Sequence, residues 1–311
     1  MVPKHKILVT GGAGFIGSNL THRLVESNND VCVVDDLSHG RMGNLEGVIR
    51  KENLRLHRGS FFDQAFMRSE LPGTDVVVHL AALTSVPYSV LHPTTVNRVN
   101  VTGTVALLQA CASASVKRFI FASSAAVYGN HKPPLYEELL PDPLSPYAAS
   151  KASAEGYLRS FRSTYGLEYV ILRFMNVYGP RSLGSNEGVV PRFLRAIMKK
   201  EALVIYGDGR QTRDFVHVSD VVDSIVSAIN PNAPRDDIFN IGTGHPTTIN
   251  ALIDLFQDLL GGEGLNIRHE AQREGEVRRS YASISKAARS LGFAPKVELE
   301  RGIADMLAKV T

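Results

Sequence analysis

Short apolar runs alternate with longer helix-like segments through the first half of the chain. The apolar runs are rich in Val, Ile and Phe and are bounded by polar residues or Gly, which is typical of buried strands. The predicted strands are 7–10, 31–35, 54–58, 76–80, 118–122 and 169–173. The predicted helices between them lie near 15–27, 63–70, 94–115 and 147–165.

This repeated strand-helix-strand order predicts an α/β fold, a doubly wound parallel Rossmann sheet with right-handed crossovers. Beyond about residue 176 the pattern loosens, with helices predicted near 189–199, 217–229, 247–259 and 298–309. No linker rich in Pro, Gly or Ser separates the halves. We therefore expect residues 1–175 with about 215–242 to form the larger domain, and about 176–214 with 243–311 to form a smaller carboxyl-terminal domain that binds substrate.

Composition narrows the class of protein. The chain has 311 residues, of which 44% are hydrophobic and 21% charged, and a net charge of +3. These values are ordinary for a soluble globular protein, and the charge is too small to indicate nucleic acid or membrane binding. The apolar run after Lys6 spans only three residues, too few for a signal peptide or a membrane span.

Two cysteines, Cys32 and Cys111, lie in apolar patterns. We expect buried reduced thiols, with no disulfide and no metal site, in a cytoplasmic protein. A basic run, Arg273 with Arg278 and Arg279, either binds an anion or forms a solvated surface, and the pattern alone leaves both open.

A glycine-rich turn follows the first predicted strand, with glycines at 11, 14 and 17. Gly11 permits a tight turn, Gly14 allows backbone to approach a pyrophosphate, and Gly17 lets helix and strand pack closely. Phe15 and Ile16 open the next helix, whose free N–H groups favour phosphate. The turn therefore predicts a dinucleotide site.

An acidic pair ends the second predicted strand. Asp35 lies eighteen residues beyond Gly17, where a carboxylate accepts hydrogen bonds from ribose hydroxyls and repels a 2′-phosphate. Asp35 and Asp36 therefore favour NAD over NADP, and Arg41 is interpreted as a loop residue.

Tyr147 and Lys151 stand four residues apart and share one face of a predicted helix. A nearby ammonium favours the phenolate form of a tyrosine, so the pair can act as a general acid/base toward a hydroxyl or carbonyl group. Two solvated helix residues are the alternative, and the glycine turn argues against it.

Several motifs together resemble the short-chain dehydrogenase/reductase family. They are the glycine turn, Asp35, the runs 100–104 and 123–129, and the pair at 147 and 151. Chain length and the later motifs resemble the extended branch of nucleotide-sugar epimerases and dehydratases, and most of all the UDP-hexose 4-epimerases.

The resemblance implies catalytic roles for three residues. Ser124 would bond the reacting sugar oxygen, Tyr147 would be the acid/base, and Lys151 would hold the nicotinamide ribose. His79, at the end of the fourth predicted strand, is interpreted as a core histidine. The further cofactor contacts that the resemblance implies are Ser60, Phe61, Leu80, Ala81, Ala82, Asn100 and Phe174, with a structural role as the alternative for Asn100.

One departure from related enzymes narrows the reaction. The 4,6-dehydratases of this branch carry Asp-Glu after the serine or threonine, and the decarboxylases carry a Glu, whereas this chain has Ala125 and Ala126. Oxidation and re-reduction at a single carbon is therefore favoured, as in a 4-epimerase. Phe174 replaces a common Tyr and Ser60 a common Asp, which affects contacts to NAD rather than the catalytic residues.

The resemblance also implies a UDP-sugar substrate in the smaller domain, with Arg213 and Arg273 on the diphosphate and Glu276 on the uridine ribose. The other implied substrate contacts are Ser85, Ser124, Tyr147, Asn176, Val189, Val190, Tyr206 and Ser280. At position 280 a Tyr restricts the family's sugar pocket, so the small Ser280 implies room for an N-acetyl group.

Other functions stay open at this point: a UDP-glucuronate 4-epimerase, another NAD-dependent nucleotide-sugar oxidoreductase and, more remotely, a non-catalytic dinucleotide sensor. The resemblance further implies a homodimer formed through helices 94–115 and 150–165. The alternative is that these helices only cover their own sheet.

Overall fold

The structure is a computed structural model that describes residues 4–184, 188–262, 264–272 and 277–309. The strands in these ranges are β1 (Lys6–Thr10), β2 (Asp30–Asp35), β3 (Leu54–Arg58), β4 (Val76–His79), β5 (Arg118–Ser124), β6 (Glu168–Phe174), β7 (Asn176–Tyr178), β8 (Leu203–Tyr206), β9 (Thr212–Arg213), β10 (Phe215–His217), β11 (Asp237–Ile241), β12 (Thr247–Thr248) and β13 (Ile267–Glu270). The α-helices are α1 (Phe15–Glu26), α2 (Gln64–Glu70), α3 (Val86–Leu91), α4 (Pro93–Asn97), α5 (Thr104–Ser113), α6 (Pro146–Tyr165), α7 (Val189–Met198), α8 (Val218–Ile229), α9 (Ile249–Leu259), α10 (Ser285–Leu291) and α11 (Leu299–Leu307).

A seven-stranded sheet forms the centre of the larger part, in the order β3-β2-β1-β4-β5-β6-β11. Every neighbouring pair in it is parallel. The carboxyl ends of these strands therefore share one edge, where open α/β sheets bind ligands. The predicted doubly wound Rossmann sheet is confirmed.

Both faces of the sheet are covered by apolar layers. Successive residues of β1 enter different clusters, Ile7 and Val9 on one face and Leu8 on the other. A strand buried on both faces needs apolar side chains at every position, which is why these strands appear as continuous apolar runs in the sequence.

A third apolar cluster belongs to the carboxyl-terminal part and includes Val190 and Phe193 of α7, Leu252 and Phe256 of α9 and Ile303 of α11. Small two-stranded sheets join this part, β7 with β10, β8 with β13 and β9 with β12. The chain returns to the large sheet at β11. The domain boundaries stay a prediction.

The single helix predicted at 94–115 is wrong in detail. The chain forms α4, a π-helical segment at Arg98–Gly103, and α5, and it also forms α3, which sequence reasoning missed. Pro87 and Pro93 explain where α3 and α4 begin, because proline fits the first turn of a helix but breaks its interior. β11 and α10 were also missed. No described helix combines the length and apolar character needed to cross a membrane.

Candidate functional site

The glycine turn joins β1 to α1 at the carboxyl edge of the sheet. Gly11 has φ +70°, and a Cβ there would lie 2.8 Å from the amide nitrogen of Ala81. A Cβ on Gly17 would overlap the carbonyl oxygen of Gly11. Gly14 caps α1 without a side chain, so the first-turn N–H groups of the helix can serve a phosphate.

Asp35 lies beside this turn at the end of β2 and is 7% exposed. Its Oδ2 accepts from the Ala13 amide at 2.9 Å and its Oδ1 from the Leu37 amide at 2.8 Å. Burial raises the pKa of the Asp35 carboxyl, and the two amides act against that rise. Each oxygen keeps a lone pair for a ribose hydroxyl. Asp36 is exposed and accepts from the amide and hydroxyl of Ser38 instead.

The turn and Asp35 together fit a dinucleotide. At Gly11 and Gly17 neighbouring backbone atoms occupy the space that a Cβ would need. The buried Asp35 carboxylate lies at the end of the second strand, the position from which folds of this type bind the ribose of a dinucleotide. Of the two acids predicted from the sequence, Asp35 lies beside the turn, whereas Asp36 is exposed and bonds to Ser38.

Lys151 lies on α6 beneath the sheet edge and is 4% exposed. Its Nζ donates to the carbonyl of Ala122 at 2.8 Å and stands 4.8 Å from the centre of the Phe121 ring. Burial lowers the pKa of the Lys151 ammonium to about 8, and the Glu155 charge opposes this. The Lys151 ammonium is thus mainly charged at neutral pH, and it is buried next to the Phe121 ring.

Tyr147 precedes Lys151 by one turn, near the start of α6, and its side chain is largely buried. Ser145 caps this helix by accepting from the Ala148 amide at 3.2 Å, and Pro146 follows it. Ser124 ends β5 and caps the 3-10 turn at Ala125–Tyr128, where its hydroxyl accepts from the Ala126 amide at 3.2 Å. α6 packs against this turn, so the structure brings the predicted catalytic segments together.

His79 and Asn100 belong to a buried hydrogen-bond chain. Thr104 donates its hydroxyl to the Asn100 carbonyl at 2.7 Å, so it must accept from His79 Nε2 at 2.9 Å. His79 Nδ1 then accepts from the Thr10 hydroxyl at 2.7 Å. Burial lowers the pKa of His79 to about 3, which keeps the ring neutral. His79 is a core histidine, as predicted.

The Asn100 side chain fixes the framework around α6. Its Oδ1 accepts from the Leu83 amide, and its Nδ2 donates to the Leu83 carbonyl and to Ser150 Oγ, which donates to the Tyr147 carbonyl. The π-helical segment turns Asn100 toward these partners, and such segments often mark functional sites. These contacts of Asn100 are those of a structural residue, which is the alternative that the sequence left open.

The other predicted cofactor residues border the same edge. Leu80 donates its amide to the Thr10 carbonyl, and Ala81 lies against Gly11 with Ala82 following. Phe61 is buried 5.1 Å from the His79 ring, while Ser60 accepts from the Phe62 amide. Phe174 ends β6 opposite Ser124.

Arg213 and Ser280, two predicted substrate contacts, lie together in the carboxyl-terminal part. Arg213 Nη1 donates to the Val277 carbonyl at 2.8 Å, and the Ser280 amide donates to the Thr212 carbonyl at 3.2 Å. Two residues further on, Ala282 pairs with Leu135, in the loop between Ser124 and Tyr147. This strand-like segment connects the predicted diphosphate residue to the catalytic segments.

The remaining substrate predictions are placed as follows. Asn176 begins β7, Val189 and Val190 open α7, Ser85 caps α3, and Tyr206 ends β8. The Arg192 guanidinium lies 5.4 Å from the centre of the Tyr206 ring. Arg273 and Glu276 lie outside the described residues.

Sequence reasoning missed the buried supports of this site, Thr10, Thr104, Ser150 and Glu155. Glu155 alone had a usable signal, since it lies on the same helix face as Tyr147 and Lys151 at intervals of four residues.

The fold and the glycine turn define an α/β protein of the dinucleotide-binding class, in which Tyr147 and Lys151 lie one helical turn apart on α6. The sequence profile of the NAD dependent epimerase/dehydratase family matches residues 7–242. The chain belongs to this family, and it is an NAD-dependent epimerase, an isomerase of the extended short-chain dehydrogenase/reductase type that the motifs predicted.

Similar proteins cover nearly the whole chain. The UDP-glucose 4-epimerase of Mycolicibacterium smegmatis is 38% identical over 96% of both chains. The crystal structure of the Thermotoga maritima UDP-glucose 4-epimerase with UDP-glucose superposes with a TM-score of 0.91, at 38% identity and 97% coverage of both chains. The Methanobrevibacter ruminantium UDP-N-acetylglucosamine 4-epimerase, in complex with UDP-N-acetylmuramic acid, gives 0.92 at 37% identity, covering 98% of this chain and 97% of the other.

Proposed function

We propose that this chain is a UDP-hexose 4-epimerase that interconverts UDP-glucose and UDP-galactose through a 4-keto sugar. The observation that carries the proposal is that α6, which bears Tyr147 and Lys151, packs against the turn that follows Ser124, and that Ala125 and Ala126 occupy the start of this turn. A dehydratase needs extra acidic groups there to expel water, and a simple epimerase does not. The similarity to enzymes named for UDP-glucose supports the same substrate class.

Tyr147 would take the proton from the C4 hydroxyl and later return it. The buried Lys151 ammonium would favour the phenolate, because a desolvated charge acts strongly at short range. Ser124 would donate to or accept from the same sugar oxygen as it changes between hydroxyl and carbonyl. When bound, NAD supplies the hydride acceptor and donor of the reaction.

The glycine turn and Asp35 would hold NAD by its pyrophosphate and adenosine ribose. Arg213 would hold the UDP diphosphate, since a guanidinium donates paired hydrogen bonds to phosphate oxygens. Binding energy would then reside in the UDP part, which leaves the sugar free to present either face of C4. Arg273 and Glu276 complete this proposed contact set from the sequence alone.

We propose that the sugar pocket also accepts N-acetyl hexosamines, because Ser280 is small and partly buried beside β9. Replacing it with a large ring tests this. In Ser280→Tyr, turnover of UDP-GlcNAc should fall by more than about 10-fold, the low end of discrimination by pocket shape, while UDP-glucose turnover persists. The two kcat/KM values measure the effect, and equal losses for both sugars would refute the role of position 280.

We also propose a homodimer. The inward faces of α5 and α6 pack on their own sheet through residues such as Leu107 and Leu158. The outer face of α6 still presents the rings of Tyr157 and Tyr165, which are 43% and 60% exposed. A second copy would cover them. Light scattering after gel filtration should give twice the chain mass of 33.9 kDa, whereas the monomer mass would contradict the dimer.

The proposed reaction is tested by incubating the purified protein separately with UDP-glucose, UDP-GlcNAc and UDP-glucuronate, with products resolved by NMR. We expect UDP-galactose from UDP-glucose without net change in NAD. Conversion of UDP-glucuronate alone would assign the site to the glucuronate epimerase alternative, and stoichiometric NADH consumption would assign it to a reductase.

A further inference from the structure

A fully buried ion pair lies one helical turn beyond Lys151. Glu155 is 2% exposed and Arg173 is 0% exposed. Arg173 Nε donates to Glu155 Oε1 at 2.9 Å and Nη2 donates to Oε2 at 2.6 Å, which makes a bidentate fork. The hydroxyl of Ser123 donates to the same Oε1 at 2.6 Å.

The three partners come from the three elements that build the catalytic site. Glu155 is on α6, four residues after Lys151. Ser123 is on β5 directly before Ser124, and Arg173 is on β6 directly before Phe174. Ser123 and Arg173 are register partners across the two strands. One carboxylate therefore fastens the helix to both strands, one residue from the groups proposed to touch substrate and cofactor.

Arg173 also contacts residues other than Glu155 and Ser123. Its guanidinium stands 4.7 Å from the centre of the Tyr128 ring, and Nη1 donates to the Glu137 carbonyl at 3.4 Å. The Tyr128 hydroxyl donates to Asn240 Oδ1 at 2.6 Å. The Arg173 guanidinium therefore contacts Tyr128 and Glu137 as well as Glu155, and these contacts restrict the movement of the ion pair.

Stability alone does not account for this arrangement. Removing two charges from water is costly, and apolar side chains of similar volume often hold a core equally well or better. A buried bidentate ion pair instead fixes the relative orientation of the two segments that carry it, because its two hydrogen bonds form only in one geometry. The pair lies where α6, which carries Tyr147 and Lys151, packs against the end of β5 and the turn after Ser124.

We propose that Glu155 is a positioning residue, whose carboxylate, held by Arg173 and Ser123, sets the placement of Tyr147 and Lys151 relative to Ser124. This inference rests on the proposed epimerase function. The Glu155 charge also opposes the loss of the Lys151 proton, since it raises the pKa that burial lowers. The His79 side chain, which also lies within the electrostatic influence of Lys151, is neutral because burial lowers its pKa.

The decisive variant replaces both charges, Glu155→Met with Arg173→Met. Removing both leaves no unpaired buried charge, so we expect a thermal midpoint equal to or above that of the wild type. We expect kcat for UDP-glucose to fall about 10- to 100-fold, the cost of misplacing reacting groups by about 1 Å. KM should change little and NAD should stay bound, because the glycine turn, Asp35 and Arg213, which are proposed to hold most of NAD and the diphosphate, lie on other segments.

A matched control uses the ion pair at the other end of the same strands. Arg118 and Glu168 are register partners, with 3.5 Å between Nη2 and Oε2. Glu168→Met should lower the thermal midpoint and leave kcat unchanged. Arg118 keeps its hydrogen bonds to the carbonyls of Ala228 and Asn230.

A second, milder variant keeps both charges. Ser123→Ala removes only the bond that joins β5 to Glu155, so kcat should fall while KM stays unchanged, and this variant decides the question if the double variant fails to fold. Wild-type kcat in a folded double variant, or in Ser123→Ala, would overturn the positioning role. A wild-type chain that converts none of the UDP-sugars would instead overturn the proposed function.

Discussion

Tyr147→Phe should lower kcat by about 10²- to 10⁴-fold, the usual contribution of a general acid/base. The substitution removes only the hydroxyl that would exchange a proton with the C4 oxygen. The ring that fills the largely buried site stays in place, so the fold and the NAD site should be unaffected. Initial rates with UDP-glucose, together with NAD released on denaturation, measure the two effects.

Tyr165→Phe is the matched control, because Tyr165 ends the same helix, is 60% exposed in the single chain and keeps its ring for the proposed dimer contact. It should keep wild-type kcat and wild-type NAD content. If Tyr147→Phe retained full activity, the acid/base assignment would be wrong. If it lost both activity and NAD, the effect would be on the fold around the site rather than on proton transfer.

Gly17→Ala should weaken the binding of NAD. The new Cβ would overlap the Gly11 carbonyl oxygen and lie 2.8 Å from Gly12 Cα, so the turn must open and displace the amides that face the pyrophosphate. Overpacking typically costs about 1–3 kcal/mol, which corresponds to about 5- to 150-fold weaker NAD binding. Isothermal titration calorimetry of the NAD-free protein with NAD measures the change in dissociation constant.

Gly156→Ala is the control for that variant. Gly156 lies within α6, and a Cβ there meets no atom within 4 Å. An alanine inside a helix should stabilise the fold by about 0.5–1 kcal/mol and leave NAD affinity unchanged. Wild-type NAD affinity in Gly17→Ala would show that the glycine turn does not form the phosphate site.

The strands and helices that were predicted correctly are those whose own residues determine their structure, without help from distant segments. β1 and β2 are buried on both faces, so their central positions 7–9 and 31–34 are all apolar, and each strand is evident without knowing its neighbours. β11 was missed because its Asn240 looks unsuited to a buried strand. In the structure Asn240 is satisfied by Glu137, Leu135 and Tyr128, which are about a hundred residues away.

The same distinction holds within the candidate site. The glycine turn and the Tyr147–Lys151 pair are short motifs whose chemistry follows from spacing. The Glu155 contacts with Ser123 and Arg173 join segments separated by up to 32 residues, and no local pattern shows that they meet. The π-helical turn at Asn100 likewise depends on a bond to Leu83, outside the predicted helix.

The central claim is that hydrogen leaves C4 of the sugar, stays within the active site and returns to the same carbon. UDP-glucose carrying deuterium at C4 tests it directly, with the product analysed by NMR. We predict UDP-galactose with the deuterium retained at C4, in ordinary water and without added NADH. UDP-galactose whose C4 deuterium has been replaced by solvent hydrogen would contradict the account.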